Sequence, residues 1–270
     1  RYLRNPAAVI GGVILLVIVF VCIFANVLVP EELVTAYDAG AMLSPPSAEH
    51  WFGTDNLGRD LFARVIYGAR ITVGIGVGAT LVSLVIGAAI ASICALFKKA
   101  DLVIMRVIDV VTCVPSILLA LVLLAIMGGS VLNMMVTLTI VSVPGFVLRI
   151  RSVLLGVVDQ DYIHAARVSG TRPLKLVLRH ILPNAIDPII VDATMTISSM
   201  MLSAAGLSFI GVGVAPPAPE WGAMLNYAQD YFKTAPYMAL FPGAAIALTA
   251  LSINLVGDGL RDALDPKTGK

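Results

Sequence analysis

The sequence predicts an all-α membrane protein that crosses the bilayer six times, and three observations carry that reading. Only 13% of the 270 residues are charged and 59% are hydrophobic, with a mean hydropathy of +0.94; ordinary soluble domains carry roughly 25% charged residues. Six stretches, at residues 7–29, 71–97, 102–127, 131–149, 188–212 and 236–257, are long and apolar enough to cross a hydrocarbon core as helices of about 20 residues. Helix is expected because unpaired backbone amides are costly in lipid and the short alternating segments of a barrel are absent. The basic residues also segregate. With the N-terminus cytoplasmic, fourteen of the eighteen Lys and Arg residues fall inside, and only Arg59, Arg64, Arg70 and Lys233 fall outside. Both termini are therefore expected to face the cytoplasm.

The first span has no small-residue cleavage site after it and reads as a retained anchor. The chain opens on Arg1 rather than methionine, so further N-terminal residues are expected. In the outside segment that follows, Thr54 or Asp55 is placed to cap a helix from about Leu57 to Ala69. Its apolar residues Leu61, Phe62, Val65 and Ile66 recur at helical spacing, and the helix is expected to lie in the outer interface. Residues 1–70 thus form an anchor with an outer-face segment, and residues 71–270 the membrane core. The second span carries Gly74, Gly76 and Gly78, of which the outer pair has the small-xxx-small spacing that admits a close neighbour. Pro115, Pro144-Gly145 and Pro242-Gly243 should bend or break the third, fourth and sixth spans. The third and fourth are joined by Gly128, Gly129 and Ser130 as a hairpin. In the second outside loop, at 213–235, a Pro-rich start precludes regular helix. From Trp221 the apolar residues Met224, Leu225, Ala228 and Phe232 predict a short amphipathic helix that dips toward the membrane surface.

Chemistry is sparse. No GxxxxGK[ST], HExxH or GxSxG occurs, so no catalytic, cofactor or metal site is expected in this chain, and the charge balance gives no reason to expect nucleic acid. Cys22, Cys94 and Cys113 fall inside predicted spans, where packing accounts for them. Arg106, Asp109 and Asp192 are the ionisable residues nearest membrane depth and are candidates for a path or gate. Arg106 and Asp109, three apart on one helix, are also expected to pair locally.

The stretch 161–184, DYIHAARVSGTRPLKLVLRHILPN, is a basic island in an apolar chain. Asp161 to Ser169 forms a short helix with acids at its positive end and Gly170 as its stop. Thr171 is placed to cap a second helix, with Pro173 in its first turn. Leu174, Val177, Leu178 and Ile181 then make one apolar stripe, and Pro183 ends the helix. Three readings fit: a helix lying on anionic lipid, a bent segment docking into a groove on a cytoplasmic partner, or a gate.

Ala165-Ala166, Gly170 and Leu182-Pro183 resemble the EAA loop of permease subunits of bacterial ATP-binding cassette importers, with His164 standing where a glutamate is usual. HWFGTDNLGRDLFARVIYGARIT at 50–72, LSFIGVG and PPAPEWGAML within 207–225, and INLVGDGLRDALDPK at 253–267 are similar to the dipeptide and oligopeptide subfamily, in particular its C-type permease. Ala204 departs from that pattern, since many members carry an acid there. The resemblance implies the type I importer permease fold, with a coupling helix at about 161–182 acting through His164, Ala165, Ala166, Gly170, Leu182 and Pro183. It also implies a bacterial inner-membrane assembly of a homologous permease, two ATPase subunits that bind ATP and Mg, and an extracytoplasmic peptide-binding protein. Relatives in the subfamily also move nickel complexes, glutathione or haem. The rival from another class is an ion-coupled secondary transporter using Asp109 and Asp192 as relays, for which inverted repeats are expected and no clear repeat is seen.

Overall fold

In a computed structural model, residues 5–264 are described, and every regular element among them is helical. Arg1, Arg4, Lys267 and Lys270 of the charge asymmetry, and the last three residues of the 253–267 stretch, lie outside the described residues. Helix α1 (Pro6–Leu28) starts on Asn5, whose side chain accepts from the amides of Ala7 and Ala8. It leaves most of its apolar surface exposed, as a lipid-facing helix does, and packs a small-residue face on the last helix. A Cβ at Gly11 would stand 2.6 Å from that of Leu255.

The outer segment (with a short helix α2, Glu32–Thr35) folds around Asp55 before the chain enters α3 (Leu61–Leu96). This corrects the expectation of a separate interfacial helix over 57–69. The helix begins at Leu61 and runs unbroken for 36 residues, about 54 Å, well beyond a hydrocarbon core of about 30 Å. Its outer end is a packed core element, not a surface one: Leu61, Ala63, Arg64, Val65 and Ala69 are buried. Of Gly74, Gly76 and Gly78, Gly76 approaches Met201 and Gly78 approaches Met135, whereas Gly74 faces open space. The close approach therefore does not use the outer glycine pair.

Helices α4 (Lys98–Thr112) and α5 (Ser116–Met127) meet at a bend of 82°. Pro115 sits at that break, as expected, since it lacks the amide needed to continue the helix. At 12 residues, α5 is about 18 Å long and too short to span alone. It folds back on α6 (Val131–Val158) through a turn in which the Asn133 amide donates to the carbonyls of Met127 and Gly128. After α6 come the short helices α7 (Asp161–Val168) and α8 (Pro173–Leu176), a π-helical turn (Val177–Ile181), and α9 (Leu182–Phe209). Pro183 therefore does not end the helix. The wider π turn, closed by the Leu182 amide on the Val177 carbonyl, leads the chain through Pro183 and Pro188 into α9.

The outer loop contains α10 (Trp221–Ala228), and α11 (Tyr237–Leu264) completes the bundle, running through Pro242. Helix α10 does not lie at the membrane surface as expected. It is wedged among α3, α9 and α11, with Trp221, Met224 and Ala228 buried and Phe232, beyond its end, exposed. The anchor is Glu220, fully buried. Its carboxylate accepts from the amides of Gly222 and Ala223 at 2.9 and 2.8 Å and from the Thr72 hydroxyl at 3.2 Å, while the Trp221 indole donates to the Val65 carbonyl.

Candidate functional site

The basic island forms a bent arm between α6 and α9. Helix α7 ends in two backbone bonds, Thr171 N–H to the Ala166 carbonyl at 3.1 Å and Gly170 N–H to the Arg167 carbonyl at 3.0 Å. Together with Gly170 at φ +77°, they make a Schellman turn. Arg172, not Thr171, stands at the N-terminal cap of α8, and no side chain caps it. The arm is two-faced. Ile163 is fully buried against a cluster that includes Leu154 and Val158 of α6, Leu176, Val177 and Ile181 of the α8–π segment, Ala185 of α9 and Ala95 of α3. Ala166 and Leu182 pack on its edge. His164, Ala165, Gly170 and Pro183 face outward, and Val168, at the tip, is 91% exposed. The predicted apolar stripe is split by the π turn: Val177 and Ile181 turn inward, and Leu174 and Leu178 stay on the surface.

Sequence reading missed Ile163 and Val168. Ile163 lies one residue before the resemblance motif and carries no charge or glycine to mark it; Val168 is unusual only for being apolar and exposed, which needs the structure.

The three ionisable candidates are not grouped. Arg106 and Asp109 are exposed on α4 and make no ion pair with each other, contrary to the local pairing expected. The Asp192 carboxylate is held at 2.8 Å by Arg149 of α6, whose guanidinium also lies over the Phe146 ring. At the same end of α6, Arg151 grips Asp101 of α4 with two bonds of 2.5 and 2.6 Å. None of the three candidates lines the cleft of about 530 Å³ between α5, α6 and α9, which presents Ser116, Ser142, Met200 and Ser203. Because the Arg149–Asp192 pair is part-exposed, its contribution is at most about 1 kcal/mol. Asp192→Asn is therefore expected to shift the melting temperature in detergent only slightly, whereas a proton relay through Asp192 would show as loss of transport.

The model for binding-protein-dependent transport system inner membrane components matches residues 83–270, and that for the N-terminal membrane domain of oligopeptide transport permease C matches 1–46. The chain belongs to the binding-protein-dependent inner-membrane permeases. A glutathione transport system permease of Pectobacterium atrosepticum is 41% identical over 99% of this chain and 89% of its own. A dipeptide transport system permease of Alkalihalophilus pseudofirmus is 40% identical over 98% and 87%. An inward-facing MetNI methionine ABC transporter structure superposes with a TM-score of 0.63 at 18% identity, over 75% of this chain and 96% of that one. The permease thus has the type I importer fold that its motifs implied, and its relatives are transport subunits, not enzymes.

Proposed function

We propose that this permease forms half of the translocation path of an ATP-driven importer of short peptides. On this reading it pairs with a homologous permease, and an extracytoplasmic peptide-binding protein delivers cargo to the outer face formed by the Asp55 segment and α10. Two cytoplasmic ATPases carry the ATP and Mg, and one of them receives α7. Both termini and α7 then face the cytoplasm of a bacterial inner membrane. The observation that carries the reading is the two-faced arm: its inner side is locked to α3, α6 and α9, while His164, Ala165, Val168 and Gly170 are exposed on its outer side. Movement of a docked ATPase would be transmitted as rigid-body motion to three membrane helices. Binding energy drives such a change only to the extent that it differs between the two states. Glutathione, named for one group of relatives, is itself a tripeptide, so the two cargo names describe one chemical class.

The test is co-isolation. The permease should purify with an ATPase pair, and Val168→Glu, placing a charge at the apolar tip, should release those subunits while leaving the permease pair intact. Uptake by this chain alone, driven by an ion gradient, would overturn the proposal.

A further inference from the structure

A groove of about 830 Å³ runs along the surface between α3 and the α8–π segment. One wall carries the row Val85, Ala89 and Ile93 of α3, continued by Phe97 just past its end, each four residues from the last. The other is formed by Leu174 and Leu178. These side chains are well exposed, with Val85 at 68% and Leu174 at 70%. The row covers 12 residues of rise, about 18 Å, close to the hydrocarbon depth of one leaflet, about 15 Å.

The two ends differ in charge. Apart from Ser92 the walls are apolar, but Arg172 lines the mouth. Lys98 and Lys99 follow Phe97 directly, and Lys175 and Arg179 flank Leu174 and Leu178 along the chain. None of these five makes an ion pair among the described residues. The acid nearest in sequence, Asp101, is already engaged by Arg151. A long apolar slot with an uncompensated basic mouth at one membrane end complements a molecule with one anionic head and an apolar tail. Basic pockets between transmembrane helices are recognised by this chemistry.

We propose that this groove holds one anionic phospholipid. Its acyl chain lies along Val85, Ala89 and Ile93, and its phosphate sits at Arg172, within the field of Lys98 and Lys99. Val177, the first residue of the π turn, also lines the groove, so an occupied groove would brace α8 against α3 where the arm joins the bundle. The inference does not depend on the cargo or on which subunit receives α7.

Native mass spectrometry of the delipidated, intact assembly tests it, titrating phosphatidylglycerol against phosphatidylcholine of identical chains. The expected result is one saturable phosphatidylglycerol per copy of this permease and no comparable retention of phosphatidylcholine. Each basic residue near a membrane surface is worth about 1 kcal/mol, so Arg172→Gln should weaken retention about fivefold. Ala89→Trp, filling an exposed part of the slot, should abolish it. Equal retention of the two lipids, or no change in either variant, identifies ordinary boundary lipid and overturns the proposal. So does loss of the second permease from Ala89→Trp assemblies, which would make the groove a subunit contact.

Discussion

Gly170→Val should leave the importer assembled and its ATPases active but reduce peptide uptake about tenfold or more. Gly170 sits at φ +77°, a conformation in which a β-branched side chain is strained by about 1–3 kcal/mol, and 1.4 kcal/mol is a factor of ten in population. The strain falls on the Schellman turn that sets the angle between α7 and α8, while the buried cluster around Ile163 is untouched. No atom lies within 4 Å of the position a Cβ would take, so crowding inside the permease plays no part. Gly170→Asn separates conformation from contact, because asparagine adopts the left-handed region readily. It should restore most of the uptake measured in reconstituted vesicles. An asparagine variant as defective as valine would mean that the turn needs space against its partner rather than a backbone angle, and normal uptake in Gly170→Val would remove α7 from the coupling route.

The membrane spans were legible because about 20 apolar residues in a row have few alternatives, and the break at Pro115 was legible because proline removes a backbone donor. Helix ends were not. Helix α6 runs past its apolar stretch, and α3 and α9 begin before theirs. The extensions of α3 and α6 are held by partners distant in sequence: Arg64 by the Val34 carbonyl, Arg70 by Asn26, and Arg151 by Asp101. Composition shows a charge but not what it faces: it places Arg59 and Arg64 on the outer side without showing that both are buried, and Asp192 near membrane depth without showing that Arg149 holds it. Pro183 was misread for a related reason. A rule drawn from regular α-helices ends the helix there, but the π turn shifts the bonding by one residue, and the Asn184 side chain donates to the His180 carbonyl at 2.6 Å. In the arm itself, the glycine stop and the short helix before it were legible; the inward anchor, Ile163, was not, because burial on a short helix depends on what packs above it.

The outer face carries the largest stability effect. Asp55, Arg59 and Arg64 are 4, 7 and 2% exposed. The Asp55 carboxylate lies 2.6 Å from Arg59 and 3.5 Å from Arg64, and it also accepts from the backbone amides of Leu57 and Arg59. Arg64 in turn donates to the Val34 carbonyl, fastening the segment after α1 to α3. Two buried guanidiniums thus share one carboxylate. Removing it strands both, and breaking a buried pair from one side costs about 3–5 kcal/mol. Asp55→Ala should therefore lower the melting temperature of the purified protein by on the order of 10 °C. Asp55→Asn keeps a side-chain oxygen for the two amides but loses the charge, and should fall between. Arg64→Met should cost less than Asp55→Ala, since it leaves one arginine for one aspartate and an apolar chain of similar length in its place. If Asp55→Ala and Asp55→Asn melted together near the unmodified protein, the pairing would carry no weight. The ordering matters for function because this cluster borders Met224 and Tyr227 of α10 and Met238 of α11. The surface proposed to receive the binding protein is therefore braced by a charge arrangement that Asp55 alone neutralises in part, and loosening it should weaken delivery of cargo before it disturbs ATP hydrolysis at the proposed ATPase contact.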